Sequence, residues 1–119
     1  MARILVVDDE SDQRFLLRTI FERAGHEVSD AGDGAAALRA VRESAPDLVV
    51  TDMMMPVMDG VEFIRRLRGD PATAHIPVLA ATGDPKLAGA ADAVVPKPYD
   101  WRHLVAVADA LLKEGRGPS

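Results

Sequence analysis

The sequence contains no cysteine, few aromatic residues and no long hydrophobic run. The absence of cysteine excludes disulfide bridges, thiolate catalysis and zinc sites built from cysteine. Aromatic residues make up 4% of the chain, so the core must be packed mainly with aliphatic side chains. The first apolar run, residues 4–7, is too short for a signal peptide, and no later run has the length of a membrane-spanning helix. We therefore expect a cytoplasmic protein without a membrane partner.

The charge balance excludes another class of partner. The net charge is -5 at pH 7, and no basic patch large enough to override it is visible in the sequence. An acidic surface repels the phosphate backbone of nucleic acids unless a local basic patch overrides it, so direct nucleic-acid binding is not expected. The 119 residues suffice for one domain. We expect this domain at residues 1–114, with residues 115–119 as a flexible tail or the start of a linker.

Short aliphatic runs alternate with segments of helical periodicity. The runs that indicate buried strands are 4–7, 48–50, 76–81 and 93–95, and 27–30 is a weaker strand at the sheet edge. Between them, apolar residues recur at helical spacing. The expected helix caps are Ser11, Asp33 and Asp100, with Gly25 closing the first helix. This alternation predicts an α/β fold with a mostly parallel sheet and helices on both faces.

Chemically active side chains follow four of the predicted strands. Asp8 and Asp9 follow the first strand, Asp52 the third, Thr82 the fourth and Lys97 the fifth. In open parallel sheets, ligands bind beyond the carboxyl ends of the strands, so these side chains should meet on one rim. Each residue alone would be an ordinary cap, turn or surface residue. Their shared position is what predicts a functional site.

Three clustered carboxylates require a compensating cation. Two like charges about 5 Å apart repel by roughly 3 kcal/mol at an effective dielectric constant near 20. Lys97 supplies one positive charge, and Mg²⁺ suits the remainder because it takes oxygen ligands and needs only one or two carboxylates plus phosphate oxygens. An ionised Asp52 could then attack an incoming phosphoryl group while the cations and the Thr82 hydroxyl share its charge. The predicted product is a reactive, reversible aspartyl phosphate.

The methionines and histidines are not expected to bind a metal. Residues 53–55 are three consecutive methionines, which we expect to fill gaps in the loop and core. His26, His75 and His103 lie on separate predicted elements without the spacing of metal ligands, and we expect all three at the surface.

The order of these motifs resembles the receiver domains of two-component response regulators. The matching segments run in order across nearly the whole chain: VVDDE at 6–10, DLVVTD at 47–52, MPVMDG at 55–60, Thr82, and KPY at 97–99. A pair of aspartates alone would be weak evidence, whereas the 55–60 loop and the Lys-Pro-aromatic ending are together highly specific. The resemblance implies a flavodoxin-like, doubly wound sheet of five parallel strands in the order 2-1-3-4-5.

The resemblance also implies a role for each residue of the acidic rim. Asp52 would accept the phosphoryl group. Asp9, Asp52 and the backbone carbonyl of Met54 would bind Mg²⁺, and Asp8 would act largely through water. The donor would be a phosphohistidine on a sensor histidine kinase or a phosphotransfer protein. The chain would then control an unknown downstream protein or effector domain. It would be a signalling phosphoacceptor and not an enzyme, apart from self-phosphorylation from small donors and self-dephosphorylation.

Further roles follow from the same resemblance. Lys97 would contact the phosphate, Thr82 would move towards it as the switch, and the Lys97–Pro98 bond would be cis. Met54 and Asp84, two residues after Asp52 and Thr82 respectively, occupy the positions at which the family tunes hydrolysis.

Two features depart from the family pattern. Only ten residues, 83–92, separate Thr82 from the last predicted strand, which is the lower limit for a crossover, so the fourth crossover helix should be short or replaced by a loop. Ala93 or Val94 occupies the usual place of an aromatic residue, and Pro96 should end its strand early or cause a bulge. We therefore expect signalling through a rearranged loop or through the first helix.

Two alternative functions fit parts of the sequence. A pseudo-receiver that docks partners without phosphate would explain the short crossover, yet it would not require all five rim residues. An aspartate-nucleophile phosphatase on a similar sheet would carry an Asp-x-Asp pattern after the first strand and a cap insertion. The chain has Asp8-Asp9-Glu10 and no such insertion.

Overall fold

Strands and helices alternate along the chain in the computed structural model, which describes residues 1–55 and 57–115 and only the backbone of Pro85 and Ala88. The strands are β1 (Arg3–Val7), β2 (Glu27–Ala31), β3 (Leu48–Thr51), β4 (Val78–Thr82) and β5 (Ala93–Pro96). The helices are α1 (Ser11–Arg23), α2 (Gly34–Glu43), α3 (Gly60–Gly69) and α4 (Trp101–Glu114), with a 3₁₀ segment at Pro85–Ala88. Of the expected tail, residues 116–119 lie outside the described range.

The five strands form one parallel sheet in the order β2-β1-β3-β4-β5, which confirms the flavodoxin-like topology. Strands β3 and β4 are buried at every position, as their continuous aliphatic sequence predicts. The weakly predicted strand β2 lies at the edge and is exposed at three of its five positions. The 3₁₀ segment of four residues stands in the fourth crossover, which confirms the expected shortening.

The two faces of the sheet support two hydrophobic cores. Helices α2 and α3 pack on the face that carries Leu5, Val7 and Ala80, and we call this the first core. Helices α1 and α4 pack on the opposite face, which carries Leu79 and Val95, and we call this the second core. Neither core requires a large aromatic cluster, in agreement with the aliphatic composition. Within the described range, no helix is long and apolar enough to span a membrane.

Most of the predicted caps are present, but the one at α1 was assigned wrongly. The side chain of Asp33 accepts a hydrogen bond from the amide of Ala36 (2.8 Å), and Asp100 caps α4 in the same way. Ser11 is the first residue of α1 and not its cap. The cap position is Glu10, whose own amide donates to Oδ1 of Asp8 (3.0 Å), so a turn from Asp8 organises this helix start.

Strand β5 corrects a second prediction. Pro96 neither ends the strand early nor causes a bulge, because the pairing continues to Thr82 opposite Pro96. The amide of Lys97 donates to the Thr82 carbonyl, so the nitrogen of the preceding Pro96 points away from β4. At an edge strand that direction needs no hydrogen-bond donor, and proline is tolerated there. Strand β4 begins at Val78, two residues later than predicted, because Pro77 cannot donate to the ladder.

Two histidines lie at the surface, and the third makes a partly buried contact. His75 and His103 are exposed, as expected. His26 is only 12% exposed, because its ring bridges the amide of Ala2 (3.2 Å to Nδ1) and a carboxylate oxygen of Asp109 (3.2 Å from Nε2). The surface prediction for His26 was therefore wrong, because residue spacing does not show that the chain start and α4 meet at this ring.

Candidate functional site

The strand ends hold three of the predicted site residues in fixed positions. The backbone amides of Asp8, Asp52 and Lys97 donate to carbonyls of neighbouring strands, at 3.2, 2.9 and 3.0 Å respectively. The hydrogen-bond ladder thus continues one residue beyond each of the strands β1, β3 and β5. Because β1 and β3 flank the point where the strand order reverses, the site lies where open α/β sheets bind their ligands.

Asp8, Asp52 and Lys97 are in direct contact. Nζ of Lys97 lies 3.2 Å from Oδ2 of Asp8 and 3.6 Å from Oδ1 of Asp52. The three side chains are 1%, 12% and 24% exposed in the order Asp8, Asp52, Lys97. Partial exclusion of water strengthens the attraction between opposite charges beyond that of a surface pair. Lys97 therefore connects the exit of β5 to those of β1 and β3.

Asp9 completes a cluster of three carboxylates. One carboxylate oxygen from each of Asp8, Asp9 and Asp52 lies within 4.8 Å of the other two. Lys97 contributes one positive charge, so negative charge remains at the rim. Carboxylate oxygens are hard ligands, and a group of this size suits a hard divalent cation such as Mg²⁺. The cluster can therefore hold a metal ion.

The buried position of Asp8 makes its ionised form costly. Burial raises the pKa of Asp8 above its usual value, while the Glu10 amide and Lys97 lower it and the charge of Asp52 raises it. Burial, together with the charges of Asp8 and Asp52, also raises the pKa of Tyr99 to about 12. The Tyr99 hydroxyl therefore remains protonated at neutral pH. A cation bound at the cluster would lower the cost of ionising Asp8.

Asp52 presents its two carboxylate oxygens differently. Oδ1 accepts hydrogen bonds from the amides of Met53 (2.8 Å) and Met54 (3.4 Å) and also contacts Lys97. Among the described residues, Oδ2 has no comparable hydrogen bond. An open cavity of about 470 Å³ next to this rim is lined by Met54, Asp9 and Asp59. An incoming group could reach Asp52 from this side.

Two glycines fix the loop that follows Asp52. A Cβ atom on Gly60 would lie 2.7 Å from the carbonyl oxygen of Asp52 and 2.7 Å from Cα of Met53. A Cβ atom on Gly34 would lie 2.8 Å from the carbonyl oxygen of Met58. The first residues of α2 and α3 therefore have no space for a side chain. Pro56, in the middle of this loop, lies outside the described residues.

The predicted switch residue, Thr82, is bonded within its own loop. Its hydroxyl accepts a hydrogen bond from the amide of Asp84 (3.1 Å) and donates to the Asp84 carbonyl (3.4 Å). The Asp84 side chain in turn accepts from the amide of Lys86 and caps the 3₁₀ segment. Thr82 is 1% exposed. The structure thus brings together Asp8, Asp9, Asp52 and Lys97, whereas the Thr82 hydroxyl points towards the crossover.

Other predicted features lie close to the rim. The Lys97–Pro98 peptide bond is cis. Met53 is buried in the first core and Met55 packs against it, as expected for gap-filling methionines. Met54, in contrast, exposes 70% of its surface.

Two residues of α1 that support the rim, Gln13 and Arg14, were not predicted from the sequence. Nη1 of Arg14 donates to the Asp8 carbonyl (2.7 Å), and its Nε lies 3.5 Å from Asp30 at the end of β2. The Tyr99 hydroxyl donates to Oε1 of Gln13 (3.2 Å) and so connects α1 to the residue after the cis proline. Helical spacing does place Arg14 one turn after Glu10. The position of Arg14 in the sequence does not show that its guanidinium contacts the Asp8 carbonyl.

Comparison with known proteins identifies a family. The family model described as response regulator receiver domain matches residues 4–109. The transcriptional regulatory protein PrrA of Mycobacterium bovis is 41% identical over 116 residues, which cover 93% of this chain and 50% of that protein. The phosphate regulon transcriptional regulatory protein PhoB of Pseudomonas aeruginosa is 36% identical over 124 residues, 98% of this chain and 54% of that protein. The chain thus spans about half the length of these curated relatives.

Solved structures agree with the sequence relatives. The signal receiver domain of a signal transduction histidine kinase from Syntrophus aciditrophicus superimposes with a TM-score of 0.89 at 30% identity, covering 100% of this chain and 96% of that one. The chemotaxis response regulator CheY4 of Vibrio cholerae superimposes with a TM-score of 0.87 at 29% identity, covering 93% of this chain and 98% of that one.

Proposed function

The chain belongs to the response regulator receiver domains of two-component signalling, and from this premise we propose that Asp52 accepts a phosphoryl group from a phosphohistidine. The observation that carries the proposal is the contact of Lys97 with both Asp8 and Asp52, beside the carboxylate of Asp9. The donor would be a sensor histidine kinase or a phosphotransfer protein. The phosphorylated receiver would control a downstream protein or effector domain.

The chemistry is a direct transfer between two nucleophiles. Oδ2 of Asp52 attacks the phosphorus atom as the P–N bond to the donor imidazole breaks, and the electron pair of that bond remains on the imidazole nitrogen. Hydrogen bonds from the amides of Met53 and Met54 to Oδ1 hold the carboxylate in place during the attack. Lys97 lies next to Asp52 and can neutralise negative charge on the oxygens of the transferred group.

The donor set at the rim fits Mg²⁺, which would be held by Asp9, Asp52 and the Met54 backbone carbonyl, with Asp8 acting through water. When bound, Mg²⁺ neutralises charge on the phosphoryl oxygens and offsets the mutual repulsion of the carboxylates. Asp8, through its contact with Lys97, also holds the ammonium group beside Asp52. Met54 and Asp84, two residues beyond Asp52 and Thr82, would set the rate at which water hydrolyses the acyl phosphate.

Phosphorylation would be reported through Thr82. A phosphoryl oxygen on Asp52 attracts the Thr82 hydroxyl, which has one proton and can donate it there only by giving up its hydrogen bond to the Asp84 carbonyl. Asp84 caps the 3₁₀ segment, so its release would loosen Pro85–Ala88. This path uses the fourth crossover and does not need the aromatic residue that the family usually carries on β5.

Intact-mass spectrometry after incubation with acetyl phosphate and Mg²⁺ tests the proposal. We expect one added phosphoryl group on the wild type and none when Mg²⁺ is chelated. Asp52→Asn should gain no phosphoryl group. Asp59→Asn is the matched control, because this residue lies in the same loop and an asparagine can still cap α3. A phosphoryl group on Asp52→Asn would contradict the assignment, and no adduct on the wild type would favour a phosphorylation-independent docking module.

A further inference from the structure

The short fourth crossover leaves part of the first-core face of the sheet uncovered. The 3₁₀ segment has four residues, six fewer than α2 or α3, which corresponds to about 9 Å of α-helix. Val94 pairs with Ala80 of the first core, whereas Val95 belongs to the second core. Because side chains alternate along a strand, Val94 points to the first-core face. It is 37% exposed there.

A groove between α3 and the 3₁₀ segment lies on the same face of the sheet. A cavity of about 220 Å³ is lined by Met53, Val61, Ile64 and Leu87, together with Lys86. Val61 is 51% exposed and Leu87 is half-buried. The cavity shares Met53, Val61 and Leu87 with the larger cavity beside the rim, so the two form one groove. We call it the α3 groove.

The charges of the α3 groove are distributed along its length. Asp9 and Asp59 line the part next to the rim, and Lys86 lines the part further away. An α-helix carries partial positive charge at its N-terminus and partial negative charge at its C-terminus. A helix with its N-terminal end near the two carboxylates and its C-terminal end near Lys86 would therefore match the groove in charge as well as in shape.

We propose that the α3 groove binds an amphipathic α-helix of a partner protein, which packs between α3 and the shortened crossover. The bound helix presents aliphatic side chains at helical spacing to Val61 and Leu87, and lysine or arginine in its first turn to Asp59, while Asp9 remains a ligand of the proposed Mg²⁺ site. This is helix-in-groove recognition beside the shortened crossover. It goes beyond the phosphorylation proposed for Asp52, because the groove is present in the unphosphorylated chain.

A designed peptide tests the proposal on the full chain. The probe is an acetylated and amidated 14-residue helix of alanine and glutamine, with leucine at positions 4, 8 and 11 and two lysines in the first turn. It is titrated into the ¹⁵N-labelled protein in EDTA, without a phosphodonor. We expect saturable shifts of the amides of Val61, Leu87 and Val94. Val61→Gln and Leu87→Gln should each weaken binding at least about fivefold.

Leu16→Gln is the matched control, because Leu16 lines an apolar groove on the opposite side, between α1 and Trp101. It should leave the peptide affinity unchanged, and the thermal unfolding of all variants shows that each one folds. Replacing the two peptide lysines by glutamates should weaken binding at least about fivefold.

Four results would each overturn the proposal. The first two are the absence of saturable binding up to 1 mM peptide, and amide shifts centred on residues 15–24 and 101. The third is a loss of affinity in Leu16→Gln equal to that in Val61→Gln, and the fourth is a glutamate peptide that binds as tightly as the lysine peptide. Concentration-dependent self-association that Val61→Gln abolishes would instead assign the groove to a second copy of this chain, and would overturn the partner assignment.

Discussion

The acidic rim and the fourth crossover lie at the same end of the sheet but are built in different ways. At the rim, Asp8, Asp52 and Lys97 are fixed by backbone hydrogen bonds and contact one another. The crossover, residues 83–92, contains a four-residue 3₁₀ segment at Pro85–Ala88, beside an open groove. In the proposed function, the rim carries the phosphoryl chemistry and the crossover reports it.

The physical reason lies in the tolerances of the two regions. Transfer of a phosphoryl group requires charged atoms within about an ångström of their positions, so few changes at the rim are compatible with it. A reporting loop needs only two arrangements of similar free energy. The crossover can therefore lose helical turns, provided that the remaining contacts, such as that of Arg68 with Asp92, hold β5 in place.

Gly60→Ala should have the largest effect and would sharpen the contrast between the two regions. The new Cβ would lie 2.7 Å from the Asp52 carbonyl oxygen and from Cα of Met53, so the backbone around the acceptor must shift. We expect a loss of about 3 kcal/mol in the free energy of unfolding, measured by urea denaturation. Phosphorylation by acetyl phosphate should also slow.

Gly83→Ala in the crossover is the matched control for Gly60→Ala. A Cβ atom on Gly83 would meet no atom within 4 Å, and its φ lies outside the left-handed region. The change in unfolding free energy should be within about 0.5 kcal/mol. Equal losses for the two glycines would remove the contrast between a tightly packed rim and an open crossover.

Arg68→Met should have the next largest effect, because it removes the ion pair that anchors the end of the short crossover. Nη2 of Arg68 lies 2.7 Å from Oδ2 of Asp92, which also accepts from the Val78 amide (2.8 Å). Both side chains are mostly buried. We expect a loss of about 2 kcal/mol in thermal or urea unfolding, because the Asp92 carboxylate loses this cation in a poorly solvated position. Arg65→Met, at an exposed pair with Glu62, should leave stability unchanged.

Asp8→Asn should change the free energy of unfolding by less, and should raise it where the preceding substitutions lower it. Burial raises the pKa of Asp8, so the folded protein holds a proton there more tightly than the unfolded chain, and ionisation at neutral pH costs the folded state. We expect Asp8→Asn to gain about 1 kcal/mol in unfolding free energy at pH 7 in EDTA. Mg²⁺ should then stabilise the wild type more than the variant. A loss of stability in EDTA would show that the Lys97 contact outweighs the cost of burial.

The sequence predicted features that depend on neighbouring residues in the chain. Aliphatic runs identified the strands, the short interval 83–92 identified the reduced crossover, and Asp33 and Asp100 were recognisable caps. The rim residues were found because parallel strands bring their carboxyl ends to one edge. Strand order came from the resemblance to a family, because periodicity alone does not determine which strands are neighbours.

The errors concern contacts between residues distant in sequence. Pro96 was expected to disrupt β5, but its nitrogen faces away from β4 at the edge of the sheet. His26 was placed at the surface, yet it bridges the chain start and α4. The turn of Arg14 towards the Asp8 carbonyl was not visible in the pattern of α1. Each depends on side-chain or sheet-edge geometry that spacing does not specify.

Amide spectra with and without a phosphate mimic test most directly whether the rim reports through the crossover. Beryllofluoride with Mg²⁺ is added to the ¹⁵N-labelled wild type and to Asp84→Ala, in which the cap of the 3₁₀ segment is removed. We predict that residues 83–96 shift together with residues 52–60 in the wild type, and that the 83–96 response changes in Asp84→Ala. Shifts confined to 52–60 in the wild type would contradict the proposed route from Asp52 through Thr82.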